Sequence, residues 1–407
     1  MIPDSGEYRR AENGSMTAFA AAISTASNPR AAAMQAVEEV RAALGGAAID
    51  LVAVFATPDL MTGADDIAGI IGAHLTPRHV IGCTAEAVIG TGREVEKGPG
   101  LSLWAASLPD ANIESFALCA EEGPDGGTVM DGWPAGVDPA ARDALADDRS
   151  VILLADPFTF PPTALAGPDG MGMKRDVVGG MASGGRAPGE HRLILNQRVM
   201  SSGAVGVALT GIVPVVSQGC RPVGPEMTIT DGGQGIIRAL VGRRALTRVR
   251  EVIKGLSAAD RALVEQGVLA GVVIDENRPE YEQGDFLIRA ILGADPENGA
   301  IIVGEDVRVG QVMRLQVRDH ASADADLRTA LAAAHGTIRG AAGGVLVFSC
   351  NGRGTHMFPE PHHDALAVRD VFDDIPVAGL FCNGEIGPVC GRIHVHGFTA
   401  TMAVFPE

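Results

Sequence analysis

Two short stretches carry the residue types best suited to binding chemistry. SCNGRG supplies Ser349, Cys350, Asn351 and Arg353 after one hydrophobic run, and CNGE supplies Cys382, Asn383 and Glu385 after another, Val377 to Phe381. Loops at strand ends are where binding and catalytic groups concentrate. If the two strands are neighbours, as an α/β crossover allows, the two ends share one rim. Arg353 would then fork onto a ligand carboxylate, and Glu385 would accept from an amino group. Asn351 and Asn383 would orient the guest through amide donors and acceptors. With Arg353 serving the ligand, Arg353→Ala is expected to leave the unliganded fold near its original stability. A structural reading competes, and spacing alone favours it: Asn-Gly pairs are common turn signals, and Arg353 with Glu385 can make a plain ion pair.

Other chemistry uses the same residues. Cys350 or Cys382 is of the right type for a nucleophile, with His363 or His394 as base and Glu385 as orienter. Free cysteines are more often small buried hydrophobes. Cys382, Cys390, His394 and His396, near His362 and His363, offer metal-ligating types, but their spacing matches none of the common zinc patterns. Earlier in the chain, Cys83, Thr84 and Glu86 mirror the Cys382–Glu385 group and suggest a second pocket or another wall of the same one. A middle stretch has Gly180, Met181, Ala182 and Ser183 at the matching place, with no carboxylate.

The bulk numbers exclude several classes. The net charge of −18 over 407 residues argues against nucleic acid and anionic membranes as partners. An apolar share of 46% with 20% charged residues fits a globular chain with a substantial core. No run reaches the roughly 18–20 apolar residues of a membrane span, and MIPDSGEYRRAENGSM reads as a short disordered lead without a signal-peptide core. The six cysteines lack a CxxC pair, so reduced thiols and a cytoplasmic location are expected. There is no GxxxxGK[ST], HExxH or GxSxG, and GTGREV at 90–95 has Val95 where a dinucleotide fingerprint needs its third glycine. No cofactor is expected.

The elements that would position these groups recur. Asn28-Pro29 opens a helix over Arg30–Leu44 that Gly45-Gly46 ends. A strand at Leu51–Phe55, a helix through Asp65–Leu75 and a strand at 79–83 follow. AEAVIGTGREVEKGPGLSLWAASLP then reads as two more strands. Near the other end come GVLVFSCNGRG, a helix over His363–Phe372, IPVAGLFCNGE and HVHGFTATMAVF. SVILLADP, DVVGGMASGG and RLILNQRVMSSGAVGVAL form a weaker middle pass. Between the last two passes lie a hairpin with a Gly-Gly turn, a helix from about Ala245, a string of strands and a helix over Ala323–Ala334. The expectation is an α/β fold: mixed β-sheets covered by helices, built from internally duplicated strand–helix–strand–strand units in two modules. The divisions are residues 1–47, a lead and helix, then 48–242 and 243–407.

The chain resembles the FIST family of paired FIST_N and FIST_C modules. The resemblance rests on VIGCTAEAVIG at 80–90, QGCRPVGP at 218–225, GDFLIRAILGADPENGAI at 284–301, VLVFSCNGRG at 345–354, GLFCNGEIGP at 379–388 and HGFTA at 396–400. It implies sensing of a small polar metabolite, such as an amino acid, in signal transduction, with a signalling protein partner supplying the output. Under it the ligand-binding candidates are Ser349, Cys350, Asn351, Arg353, His363, Cys382, Asn383, Glu385, Cys83, Thr84 and Glu86. An enzyme using a cysteine or Glu385, and an interaction scaffold, are the alternatives.

Overall fold

The computed structural model describes residues 17–122, 128–138, 148–165, 176–304 and 306–407; the amino-terminal lead read from the sequence lies outside them. Three strand pairs organise the larger part of the structure. Leu51–Ala56 and His79–Thr84 run parallel, as do Ser150–Ala155 with Val177–Met181 and Ala342–Cys350 with Val377–Cys382. On the far side of each first strand lies an antiparallel neighbour: Leu101–Ser107, Ala204–Leu209 and Thr399–Pro406, respectively.

The hairpin that follows each second strand does not stay with its own sheet. Val88–Gly90 pairs with Val377–Cys382, Leu193–Leu195 with His79–Thr84, and Glu385–Val389 with Val177–Met181. Each sheet is thus completed by chain from another, in a closed cycle of three. The exchange brings the ends of all three second strands together, and the candidate site lies there.

Alternation along the strands explains why three sheets can share one centre. In Leu51–Ala56 the side chains of Leu51, Ala53 and Phe55 face a common core with Ile152, Leu154, Leu346 and Phe348, while Val52 and Val54 face outward under helices. Strands buried on both faces read as continuous apolar runs, which is why VAVFA and VLVF carry no polar residue. Phe55 meets Phe348 edge-on at 6.2 Å, and Trp104 packs on Phe405 at 4.7 Å between centroids. The outer faces are covered by Pro29–Leu44 and Ala64–Leu75 on one sheet and by His320–Thr337 and His363–Phe372 on another.

The first helix forms as its sequence demands. The Asn28 side chain accepts from the Ala31 N–H at 3.1 Å, Pro29 takes the first turn, and Gly45 ends it at φ 59°.

A fourth sheet is antiparallel and has its own core. Cys220–Gly233, Val312–Arg318, Val268–Val273, Phe286–Ala294, Ile301–Val303 and Ile236–Leu240 pair in that order, and the last returns to pair with the first. Closing the ring removes the exposed edges. Helix Ala245–Gly255 packs Val249 and Val252 into its core.

Two sequence expectations change. The stretch after residue 84 holds three strands, Val88–Gly90, Arg93–Val95 and Leu101–Ser107, where two were expected. Residues 18–24 form a strand paired from Ala18↔Ser107 to Ser24↔Leu101. Its composition, AFAAAIS, is poor in β-formers, so only the partner strand specifies it.

Candidate functional site

The two chemistry-bearing stretches do share an end. Cys350 and Cys382 stand opposite each other in register, and the Asn351 N–H donates to the Cys382 carbonyl at 3.0 Å. From there the side chains divide between a sealed interior and an open cleft.

The interior side holds a knot of charge. Arg353 is fully buried, and its Nε and Nη2 donate to the two oxygens of Asp364 at 2.9 and 2.7 Å. Ser349 Oγ donates to the same carboxylate at 2.6 Å. Asp364 opens helix His363–Phe372, whose first N–H groups, from Asp364 and Ala365, donate to Glu94 Oε1 at 3.0 and 3.1 Å. Burial alone would raise the Asp364 carboxyl. The Arg353 charge and its hydrogen bonds overcome that and hold it far below the usual carboxylate range. His363 stacks on Phe358 with centroids 3.4 Å apart, and its ring nitrogens contact Asp364 and Asp324 oxygens at 2.8 and 3.0 Å. The Arg353 guanidinium lies over the other partner of that stack, 5.1 Å from the Phe358 centroid.

These positions revise the assignment of ligand roles made from sequence. Arg353 is committed to Asp364, sealed from solvent, and does not face the open rim. Its ion pair is with Asp364 and not with Glu385. Glu385 is also fully buried: Oε2 accepts from the Thr399 N–H at 3.1 Å, and Oε1 has no hydrogen-bond partner among the described residues. Burial pushes this carboxyl up to about 8. Ser349 and His363 belong to the knot as well.

The thiols are equally enclosed. Cys83 and Cys382 are fully buried, and burial raises both, as it raises Cys350. Cys350 Sγ accepts from the Phe398 N–H at 3.2 Å, and Cys382 Sγ donates to the Leu380 carbonyl at 3.9 Å. Among the described residues no histidine nitrogen bonds to either thiol, so the nucleophile reading lacks its base, and a raised thiol is a poor nucleophile. The metal-ligating types also separate. His396 Nε2 bonds to the Gly387 carbonyl at 3.0 Å, and no group of three ligating side chains forms among the described residues.

The open side is a cleft of about 290 Å³ lined by Pro58, Glu86, Gly184, Gly185, Arg186, Asn351 and Asn383. It draws one loop from each of the three parallel pairs' second strands, plus Asn351 and Pro58. Glu86, Arg186 and Asn383 are exposed, and Asn351 carries a buried amide oxygen with no hydrogen-bond partner among the described residues. Among the described residues the guanidinium of Arg186 has no ion-pair or hydrogen-bond partner; only its backbone N–H bonds, to Glu190 at 2.7 Å. A cation, an anion and two amides therefore face one hollow with spare capacity.

Buried groups hold this rim in place. Ser183 Oγ accepts from the Glu86 N–H at 2.7 Å and donates to the Phe381 carbonyl, linking all three strand ends. Its N–H donates to the Thr84 carbonyl at 3.1 Å. Thr84 Oγ1 accepts from the Arg192 N–H at 2.8 Å, fixing the return of the 184–192 loop. Within that loop the Gly185 N–H donates to His191 Nε2 at 3.1 Å, and His191 Nδ1 lies 2.8 Å from Asp156 Oδ1. A backbone N–H can only donate, so Nε2 is the acceptor and Nδ1 carries the proton towards Asp156. Gly180 is required beneath the rim because a Cβ there would run into the Cys382 thiol.

Of the sequence candidates, Glu86, Asn351 and Asn383 line the cleft. Thr84 supports it, and Cys83, Ser349, Cys350, Arg353, His363, Cys382 and Glu385 lie in the interior. Sequence reasoning missed Arg186, His191 and Asp156, and gave Ser183 little weight. The available signal was position: MASGGR sits at the same strand end as CTAE and CNGE.

Comparison with known proteins agrees with the signatures seen in the sequence. Residues 50–243 match the FIST N domain and residues 245–388 the FIST C domain. The chain is 40% identical over 388 residues to the uncharacterized protein Mb0898c of Mycobacterium bovis, covering 95% of this chain and 98% of that one. The uncharacterized protein Rv0628c of Mycobacterium tuberculosis is 40% identical over the same length and coverage.

Proposed function

The chain belongs to the FIST family, whose domains serve sensing and signal transduction, and from that premise we propose that its cleft is the sensing site for a small zwitterionic metabolite, an amino acid in the first instance. Arg186 takes the carboxylate and Glu86 the ammonium group, while Asn351 and Asn383 hold the guest between them. Occupancy then passes to a signalling protein partner. The observation that supports this is the convergence of opposite charges, unpaired among the described residues, beside the Asn351 oxygen that likewise lacks a partner there. Among the described residues no helix is long and apolar enough to cross a membrane.

The cleft draws on loops from both matched domains, with Asn351 and Asn383 from one and Glu86 and Arg186 from the other. A ligand touching both favours whichever arrangement holds the four groups closest, and only such a difference in affinity can move an equilibrium. Thermal-shift screening against the amino acids tests the proposal: a binder of the native state raises the melting temperature. The rise should vanish in Arg186→Ala. An unresponsive wild-type protein across the whole panel would sink it.

A further inference from the structure

A second hollow, remote from the cleft, gathers positive charge on a strongly acidic chain. It measures about 330 Å³ and lies between the closed antiparallel sheet and strand Arg392–His396, the edge of a sheet in the three-sheet body. Arg289, Arg308 and Arg392 line it, and among the described residues Asp306 supplies the one carboxylate of its lining. Val272, Leu287 and other aliphatic side chains form the rest of its wall. On a protein of net charge −18, three guanidiniums around one small space are a local inversion of sign.

One of these cations lacks a close partner among the described residues. Arg308 pairs with Glu276 at 3.3 Å, but Arg392 has no ion-pair or hydrogen-bond partner among the described residues. His394, also in the wall, has a buried Nε2 without a partner among the described residues. Burial and the nearby Arg289 and Arg392 charges lower its pKa to about 4, so at neutral pH it is a neutral ring with hydrogen-bonding capacity unspent. Buried polar atoms in native structures normally have a partner. A compact oxyanion would relieve the repulsion and supply that partner at once.

We propose that this hollow is an effector site for a small anion carrying an apolar body, its phosphate or carboxylate head held by Arg392, Arg289 and Arg308 and its body resting on Val272 and Leu287. Arginine's planar fork suits either head. Because the walls come from two separate sheets, the bound anion bridges them.

Phenyl phosphate, benzoate and phenol share one ring and differ only in the head, so calorimetric titration with each separates the sources. Saturable binding of phenyl phosphate or benzoate, with none of phenol, is expected, and the tighter of the two identifies the head. Arg392→Ala should weaken that binding about tenfold or more. Arg392 is exposed, so the variant should keep the wild-type circular dichroism and unliganded melting temperature. Arg308→Ala gives a second, independent loss. The proposal is overturned if neither anion binds at up to about 10 mM, if phenol binds as well as the anions, or if both arginine variants bind like wild type. It is also overturned if Arg186→Ala removes the response, because the anion would then belong to the cleft.

Discussion

The sealed knot around Arg353 and the open cleft beside Asn383 begin at the same two strand ends, yet they treat charge in opposite ways. In the knot, Arg353, Asp364 and Ser349 bond to one another in the buried interior, with Arg353 Nη1 left without a partner among the described residues. In the cleft, Glu86 and Arg186 stay exposed, with no ion pair among the described residues. The lesson concerns what a charged residue after a strand means. A guanidinium with two short bonds to a buried carboxylate is part of the fold, and one left without a partner beside a hollow is available to a guest.

The strongest way to break this contrast is to remove the buried cation. Arg353→Ala leaves Asp364 as an uncompensated buried charge, which costs about 3–5 kcal/mol. Urea unfolding should show the midpoint fall accordingly, contrary to the stable variant expected from sequence. A wild-type midpoint would show that the knot is not structural. Next in size is Ser183→Ala, which strips the Glu86 N–H of its acceptor and the Phe381 carbonyl of a donor. A loss of about 1–3 kcal/mol is expected by the same measurement, with weakened ligand response because the rim loosens.

Glu385 sharpens the comparison through pH. Its carboxyl is raised from 4.5 to about 8, so the folded state keeps a proton that the unfolded chain releases. The stability this contributes is full below 4.5 and is lost as pH rises through about 8. Glu385→Gln keeps the neutral shape and removes the loss. Its melting temperature relative to wild type should therefore climb steadily between about pH 5 and pH 9. Glu94, also raised to about 8, is present in both proteins and cancels in the difference. A flat difference would mean that Glu385 is ionised in the native state.

The smallest stability effects belong to the cleft. Arg186→Ala and Glu86→Gln should each change unfolding stability by no more than about 0.5 kcal/mol while abolishing the amino-acid response. Destabilisation as large as that of Arg353→Ala would erase the distinction between the two regions.

Much of the scaffold was legible in the residues. Asn28-Pro29 and Gly45 bound a helix of the expected length, and His363–Phe372 forms where the sequence placed it. The sequence left open whether the 349–353 and 382–385 stretches meet, and the parallel pairing of their strands decides it, while the FIST signatures identified the family. Strand Ala18–Ser24 escaped because its alanines take their conformation from Leu101–Ser107. The exchange of hairpins among three sheets escaped too, since pairing between Val88–Gly90 and Val377–Cys382 spans nearly the whole chain and leaves no local trace.

The sequence by itself determined most of the elements, their order and which residues stand at the ends of the long strands, because hydrophobic period and turn residues act over a few positions. Only the tertiary structure decided that Arg353 turns inward to Asp364 while Arg186 faces the cleft. Beyond the last residue of a strand no periodicity fixes a side chain's direction. Its partner then comes from whatever distant chain the packing brings alongside.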